Sequence, residues 1–210
     1  GFSPWVTGAA AADVLVLGAS FESGDQLLVA VPSNRAGIKA HPGMSLVALS
    51  GSCTDQVELV DVVVQPDEVL AGPAENVMHG NTGGVAGGLQ TSTLALGLSL
   101  AAVAYLAAQA EQRPDLTAIA EKMNRDTQAL VDVLREITHQ NTETTPAQLR
   151  QQANSLVLRT TQAALQAAKG AGFVNDHPTG RWAREALFFL VWSCPQAVAY
   201  ANLCELAQLE

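Results

Sequence analysis

The sequence predicts an α+β protein in which a small antiparallel β domain, or partial barrel, precedes an up-and-down four-helix bundle. Two observations support this prediction. Apolar residues change their periodicity near residue 72, from short runs bounded by turn residues to helical spacing. A linker rich in glycine lies at the change. The expected organisation is therefore a β domain over 1–72, a linker over 73–88 and a helical bundle over 89–210.

Short apolar runs predict the strands of the first domain. Val14–Leu17, Gln26–Val31 and Ser45–Leu49 are each bounded by turn residues, and Gln56–Val64 alternates in part between apolar and polar positions. Glu22–Asp25 has the composition of a hairpin turn between the first two runs. Short strands at such close spacing favour an antiparallel sheet or a small barrel.

Four helical segments are predicted after the linker, and the third has the clearest ends. Thr145-Pro146 is a cap residue followed by proline at the first helical position, and Lys169-Gly170 is a basic residue followed by a C-cap glycine. The last segment is expected to break near Pro195, where Ser193 would open a capping box and restart the helix. The predicted segments are 89–112, 115–139, 146–169 and 180–209.

The first helical segment is the most apolar part of the chain. No charged residue occurs from Val85 to Ala110, a length that could cross a bilayer. Polar residues such as Gln90 and Ser99 interrupt it, and alanine dominates over leucine and isoleucine. We therefore expect a central bundle helix, buried on every side, and no membrane span. Such a helix must be covered all round, which also predicts a homo-oligomer.

Composition excludes several classes of protein. Of the 210 residues, 48% are apolar and 15% are charged, which is the reverse of what intrinsic disorder requires. The net charge of −9 argues against nucleic-acid binding, since phosphate contacts need clustered cations. The three cysteines are odd in number and widely spaced, which favours a reducing compartment, here the cytoplasm. None of the histidines has a second ligand at metal spacing, so no metal site is expected.

Four segments, taken in order, resemble motifs of the acyl-CoA dehydrogenase family. Phe2–Ala9 resembles a Trp-Ile-Thr segment of the family, and Val60–Gly72 looks like the exit from its middle β domain. Gln166–Phe173 resembles a Gln-x-x-Gly-Gly-x-Gly turn, and Asp176–Ala186 resembles the Pro-x-x-Arg-x-x-Arg-Asp-Ala start of a late helix. Each fragment alone is unspecific, but the four occur in the family's order and span essentially the whole chain.

The resemblance implies that the chain is a fragment of a longer polypeptide. Members of the family carry an N-terminal helical domain and an early part of the β domain, and both are missing ahead of the Trp5 motif. Residues 1–72 would then be a partial middle β domain. We expect FAD in the full-length protein rather than in this fragment alone.

The resemblance also implies which residues would hold FAD. Trp5 would pack on the flavin ring and Thr7 would offer its hydroxyl to the polar edge of the ring. Arg113 would reach the cofactor pyrophosphate of a neighbouring subunit, as guanidinium groups suit phosphate. The remaining residues would form a turn near the adenosine-pyrophosphate part: Gln166, Gly170, Ala171 and Gly172.

Simpler roles remain open for each of these groups. Trp5 could be a buried strand aromatic, and Arg113 could be a solvated arginine at a helix end. The Gly170–Gly172 turn could be an ordinary helix C-cap.

The catalytic base of the family has no counterpart in this sequence. The resemblance implies a carboxylate nine residues after Arg184, a position that Ser193 occupies. No carboxylate occurs from Ala186 to Leu203. A second family position, on the first bundle helix, is also empty, because no acid lies between Glu75 and Glu111. No catalytic residue is therefore assigned.

Two hypotheses of function follow from the resemblance. The first is an FAD-dependent acyl-CoA dehydrogenase-like oxidoreductase that acts on an acyl thioester, with a different base or a different reaction. The second is a non-catalytic dimerisation or scaffold module that has kept the fold and lost the chemistry. Either would form a homodimer or homotetramer in the cytoplasm. An unrelated α+β protein with another ligand also remains open.

Overall fold

The computed structural model describes residues 1–75, 77, 89–192 and 194–209. These residues belong to two compact units, a β unit at the start of the chain and a helical unit after it. The α+β organisation predicted from the sequence is confirmed.

The β unit consists of two three-stranded antiparallel sheets. Its strands are β1 (Phe2–Val6), β2 (Val14–Ser20), β3 (Gln26–Pro32), β4 (Ile38–Ala40), β5 (Asp55–Leu59) and β6 (Val69–Ala74). One sheet has the order β1-β5-β4 and the other has the order β2-β3-β6.

The predicted hairpin between the first two apolar runs is confirmed. The backbone N–H of Phe21 donates to the carbonyl of Asp25 at 2.8 Å and closes the turn between β2 and β3. Leu15 and Leu17 face the core, as do their cross-strand partners Val31 and Val29. The alternation of buried and exposed residues along β2 is the pattern of a strand with one face in a core.

Other strand predictions were wrong. Residues 45–49 form no strand, and Leu49 adopts a left-handed conformation with φ of 59°. The predicted strand 56–64 ends at Leu59, because Asp61 is also left-handed and turns the chain. In both segments apolar side chains such as Val47 and Val63 point to solvent, so an apolar run was not a sign of a buried strand.

An ion pair between Arg35 and Glu68 stabilises the loop before β6. Both terminal nitrogens of Arg35 donate to the Glu68 carboxylate, and Arg35 Nη1 also donates to the Val63 carbonyl at 2.6 Å. The Gln65 backbone N–H donates to Glu68 Oε2 at 2.8 Å. These bonds stabilise the charged carboxylate and hold the pKa of Glu68 below its ordinary value of 4.5.

Glu68 should therefore make the β unit sensitive to acid. A carboxyl group whose pKa is lower in the folded state stabilises the fold above its unfolded pKa, and this contribution is lost as pH falls through the folded pKa. We expect Glu68→Gln to have a lower free energy of unfolding than the wild type at neutral pH. We also expect this free energy to fall less steeply in the variant than in the wild type as the pH drops below 4.5. Urea unfolding at several pH values tests this. The exposed neighbour Asp67→Asn is the control, and equal pH profiles for the two variants would contradict the prediction.

The helical unit contains the predicted bundle. Its helices are α1 (Leu89–Ala110), α2 (Thr117–Thr138), α3 (Pro146–Ala168), α4 (Pro178–Ala186), α5 (Phe188–Val191) and α6 (Gln196–Ala207). The predicted start of α3 is confirmed, since Thr145 and Gln148 form a reciprocal capping box with Pro146 at the first helical position.

The centre of the bundle is α3, not α1 as predicted. α3 packs against α1, α2, α4 and α6 and buries residues around much of its surface, among them Leu149, Leu156 and Val157. α1 buries one face and leaves Leu94 and Leu100 exposed. In the described part of the chain α1 alone is long and apolar enough to span a membrane, a property that core helices of soluble proteins share.

The predicted fourth helix is divided into α4, α5 and α6. The break near Pro195 is confirmed, but Pro195 itself is the N-cap of α6 and gives no side-chain cap. The predicted capping residue Ser193 lies outside the described residues.

Candidate functional site

The β unit contains the first two predicted site residues on its surface. Trp5 is 56% exposed and lies where the β1–β5 pairing is irregular, between Ser3 and Val6. Bulges of this kind re-aim side chains. The alternative of a buried strand aromatic is therefore excluded, and the ring offers an open apolar face.

Thr7 continues from Trp5 and takes part in a short chain of hydroxyl groups. Its Oγ1 lies 3.0 Å from Oγ1 of the buried Thr54, and Ser52 Oγ lies 2.8 Å from the same Thr54 atom. The backbone N–H of Gly8 donates to the Ser52 carbonyl at 3.0 Å. These bonds hold the Thr7 hydroxyl in place, two residues after Trp5 in the sequence.

Arg113 is held at one end of the helical unit. It is half-buried in the connection after α1, and its Nη1 donates to the Ala167 carbonyl at 2.7 Å. That carbonyl belongs to the last turn of α3, where an arginine compensates the unpaired carbonyl groups. The alternative of a purely solvated arginine is wrong, because this guanidinium joins two helices.

The same end of the unit carries the predicted turn. Gln166, Gly170 and Ala171 are exposed, and they follow or flank the carbonyl that Arg113 binds. Phe173, directly after this turn, is 90% exposed, and the sequence analysis did not single it out. Other aromatic residues of the chain, such as Phe2 and Phe21, are exposed too, so exposure alone assigns Phe173 no role.

The structure corrects the predicted end of α3 and gives Gly172 and Gly180 a role in packing. The residue that caps the C-terminus of α3 is Lys169, with a positive φ of 55°, and not the predicted Gly170. Gly172 is buried, and a Cβ atom there would lie 2.8 Å from Thr179 Oγ1. A Cβ on Gly180 would lie 2.4 Å from the Gly172 carbonyl oxygen. Gly172 therefore permits close packing between the turn and α4, rather than presenting an open backbone.

The residues at the predicted catalytic position are only partly described. Ser193 lies outside the described residues. The preceding Trp192 stacks on Phe188, with ring centroids 5.4 Å apart. Among the described residues no three His, Cys, Asp or Glu side chains gather to hold a metal ion.

A buried arginine, missed by the sequence analysis, holds the chain just before residue 193. Arg150 on α3 is 0% exposed, and its Nη2 donates to the Trp192 carbonyl at 3.2 Å. Its Nε donates to Asn154 Oδ1 at 2.9 Å, and Asn154 Nδ2 donates to the Phe189 carbonyl at 3.0 Å. Burial lowers the pKa of the Arg150 guanidinium. No sequence pattern marked this pair, because other polar pairs with the same spacing, such as Gln148 and Gln152, occur on α3.

Seven predicted cofactor residues thus fall into two groups. Trp5 and Thr7 lie together in the β unit. The other five lie together at one end of the helical unit: Arg113, Gln166, Gly170, Ala171 and Gly172.

The fold is that of the acyl-CoA dehydrogenases. The chain matches butyryl-CoA dehydrogenase from Megasphaera elsdenii with a TM-score of 0.80 at 16% identity, over 99% of this chain and 59% of that one. It matches an acyl-CoA dehydrogenase from Geobacillus kaustophilus with a TM-score of 0.82 at 13% identity, over 98% and 60% of the two chains.

A flavin monooxygenase shares the fold as well. A dibenzothiophene monooxygenase from Paenibacillus sp. A11-2 matches with a TM-score of 0.72 at 19% identity, over 99% of this chain and 64% of that one. No family model and no curated protein matches the sequence. The chain spans about 60% of the length of the first solved structures that it matches.

Proposed function

We propose that this chain is the C-terminal portion of an FAD-dependent, acyl-CoA dehydrogenase-like oxidoreductase that uses an acyl thioester. The observation that carries the proposal is the match in fold over 98–100% of the chain to dehydrogenases and to a flavin monooxygenase. The share of those proteins that it spans supports a longer polypeptide. The family resemblance supports a homodimer or homotetramer, and the odd number and wide spacing of the cysteines support the cytoplasm.

The described residues suit a flavin. Trp5 offers an exposed aromatic face and Thr7 a fixed hydroxyl, a combination that fits a flat ring with a polar edge. Gln166 and Ala171 form an exposed surface beside Arg113, which fits a diphosphate. When bound, the flavin would supply the hydride-accepting chemistry, and this chain would bind and orient it.

We expect Trp5→Ala to weaken FAD binding on the order of tenfold in the polypeptide that contains this chain. The reason is that the flavin ring would lose the Trp5 side chain on which it stacks. Phe21→Ala is the matched control, because Phe21 is another exposed aromatic of the β unit, at the β2–β3 turn. Titration of FAD with fluorescence detection measures both affinities. Equal affinities for the two variants would count against a role for Trp5 in the flavin site.

A specific observation favours the second candidate, a non-catalytic module. Neither family position for the base carries a carboxylate: Ser193 stands at one, and α1 has no acid at all. The sequence therefore supplies no carboxylate base at either of those positions. The same observation also favours a reaction other than α,β-dehydrogenation, and a monooxygenase shares the fold.

Anaerobic mixing of the FAD-loaded protein with acyl-CoA thioesters separates these candidates. Bleaching of the visible flavin band would support dehydrogenation with a base from elsewhere. A bound flavin that acyl-CoA does not reduce, but that a reduced nicotinamide cofactor or a free reduced flavin does reduce, would support a different redox reaction. A protein that never binds FAD would support the scaffold module.

A further inference from the structure

His177, the residue directly before α4, caps the start of that helix with its side chain. Its Nδ1 accepts a hydrogen bond from the backbone N–H of Thr179 at 3.3 Å and lies 2.8 Å from Thr179 Oγ1. The first N–H groups of a helix have no partner within the helix, so a side-chain acceptor at this position stabilises the helix start. The ring also packs in a T-shaped arrangement against Tyr105 of α1, with ring centroids 5.9 Å apart.

The hydrogen bond from Thr179 determines which nitrogen of the ring carries the proton. A backbone N–H can only donate, so Nδ1 must offer a lone pair, and the neutral ring then carries its proton on Nε2. A second proton, on Nδ1, would remove this acceptor. The ring could still donate to the Thr179 hydroxyl, but the backbone N–H of Thr179, a residue that is 0% exposed, would lose its bond to the ring.

A protonated His177 would also place a positive charge where the dipole of α4 opposes it. Asp176, directly before the ring, is exposed, so water and salt weaken its attraction for such a charge. The last two turns of α3 contain no charged side chain. The titratable and charged groups on the other elements around His177 are Tyr105 on α1, Lys169 in the turn after α3, Asp176, and Arg181, Arg184 and Glu185 on α4.

The helix start that His177 caps is packed directly on the turn after α3, residues 169–173. Thr179 Oγ1 lies 2.8 Å from the place of a Cβ on Gly172, and a Cβ on Gly180 would lie 2.4 Å from the Gly172 carbonyl oxygen. Thr179, Gly180 and Gly172 are all buried. No room is left between the two segments, so a movement of the first turn of α4 must displace the turn 169–173.

We propose that His177 is a pH-sensitive cap. The neutral ring holds the first turn of α4 against the turn 169–173, and a proton on Nδ1 releases both segments. Histidine is the side chain whose charge changes between pH 5 and 8. The cap therefore stabilises this part of the helical unit at pH 8, and its contribution is lost towards pH 5. The proposal does not depend on flavin binding.

Hydrogen exchange of the ¹⁵N-labelled chain tests the proposal, with each rate expressed as a protection factor so that the pH dependence of the intrinsic rate cancels. We expect the protection factor of the Thr179 N–H to fall on the order of tenfold from pH 8 to pH 5 in the wild type. In His177→Asn it should stay constant, because asparagine is a preferred cap residue whose acceptor does not titrate. His139→Asn, which changes an exposed histidine at the end of α2, should behave like the wild type.

The turn is followed in the same titration. We expect the amide signals of Gly170, Ala171 and Gly172 to shift together with that of Thr179 in the wild type and to stay in place in His177→Asn. His177→Ala, which lacks the acceptor, should show the low protection factor at both pH values.

Three results would overturn the proposal. The first is a protection factor of the Thr179 N–H that does not change with pH in the wild type. The second is an equal fall in the wild type and in His177→Asn. The third is a set of turn signals that do not move when the Thr179 signal does, which would show that the cap and the turn are independent.

Discussion

Arg150→Ala should lower the free energy of unfolding of the helical unit by about 3 kcal/mol. Arg150 is the largest fully buried side chain of the described residues, and its removal leaves a cavity at the centre of the bundle. The Trp192 carbonyl and Asn154 Oδ1 also lose their donors. A void and unpaired buried polar groups each destabilise the fold, and we expect them to outweigh the opposing gain from removing a buried guanidinium whose Nη1 has no partner among the described residues.

Urea unfolding followed by circular dichroism at the helix band measures this change. Arg125→Ala on α2 is the control, because Arg125 is exposed and its nearest carboxylate contact, to Glu121, is 4.0 Å long. It should change stability by no more than about 0.5 kcal/mol. An Arg150→Ala variant as stable as Arg125→Ala would show that Arg150 does not organise the bundle.

Gly180→Ala should destabilise the helical unit by about 2 kcal/mol, although alanine is the better helix former. Propensity alone would favour alanine in α4 by up to about 1 kcal/mol. The added Cβ would lie 2.4 Å from the Gly172 carbonyl oxygen, which is backbone and cannot yield without moving the turn. Overlap with backbone therefore outweighs propensity at this position.

Gly170→Ala is the matched control for Gly180→Ala. A Cβ at Gly170 would meet nothing within 4 Å, so this variant should stay within about 0.5 kcal/mol of the wild type. Thermal and urea unfolding of the two variants give the comparison. If Gly170→Ala were the more damaging of the two, the packing described for the turn and α4 would be wrong.

Features that depend on neighbouring residues in the sequence were predicted well. The start of α3 follows from Thr145, Pro146 and Gln148, which act within a single helical turn. The hairpin of β2 and β3 follows from two short apolar runs on either side of the turn residues Glu22–Asp25.

Features that depend on tertiary contacts were not predicted. β4 is only three residues long and exists because it pairs with β5, which lies far along the chain. α1 looked central because it lacks charge, yet α3 holds that place with Arg150 and Asn154 inside it. The Asn154 amide oxygen and the Trp192 carbonyl receive donors of the buried Arg150, while its Nη1 has no partner among the described residues.

The candidate site was predicted by resemblance more than by physical pattern. Trp5 is exposed, and Arg113 contacts the end of α3; the roles of both residues towards FAD stay predictions. Gly172 shows the limit of such transfer, since its lack of a side chain is explained by packing against α4. A glycine can serve close approach to a ligand or to its own chain, and the sequence does not distinguish the two.

The visible absorption spectrum of the purified polypeptide that contains this chain, after reconstitution with FAD and dialysis, tests the central proposal most directly. The account predicts flavin bands at near-stoichiometric occupancy that Trp5→Ala reduces and Phe21→Ala does not. A folded protein that remains colourless after reconstitution would contradict it, and the chain would then be a binding or assembly module that shares the fold without the cofactor.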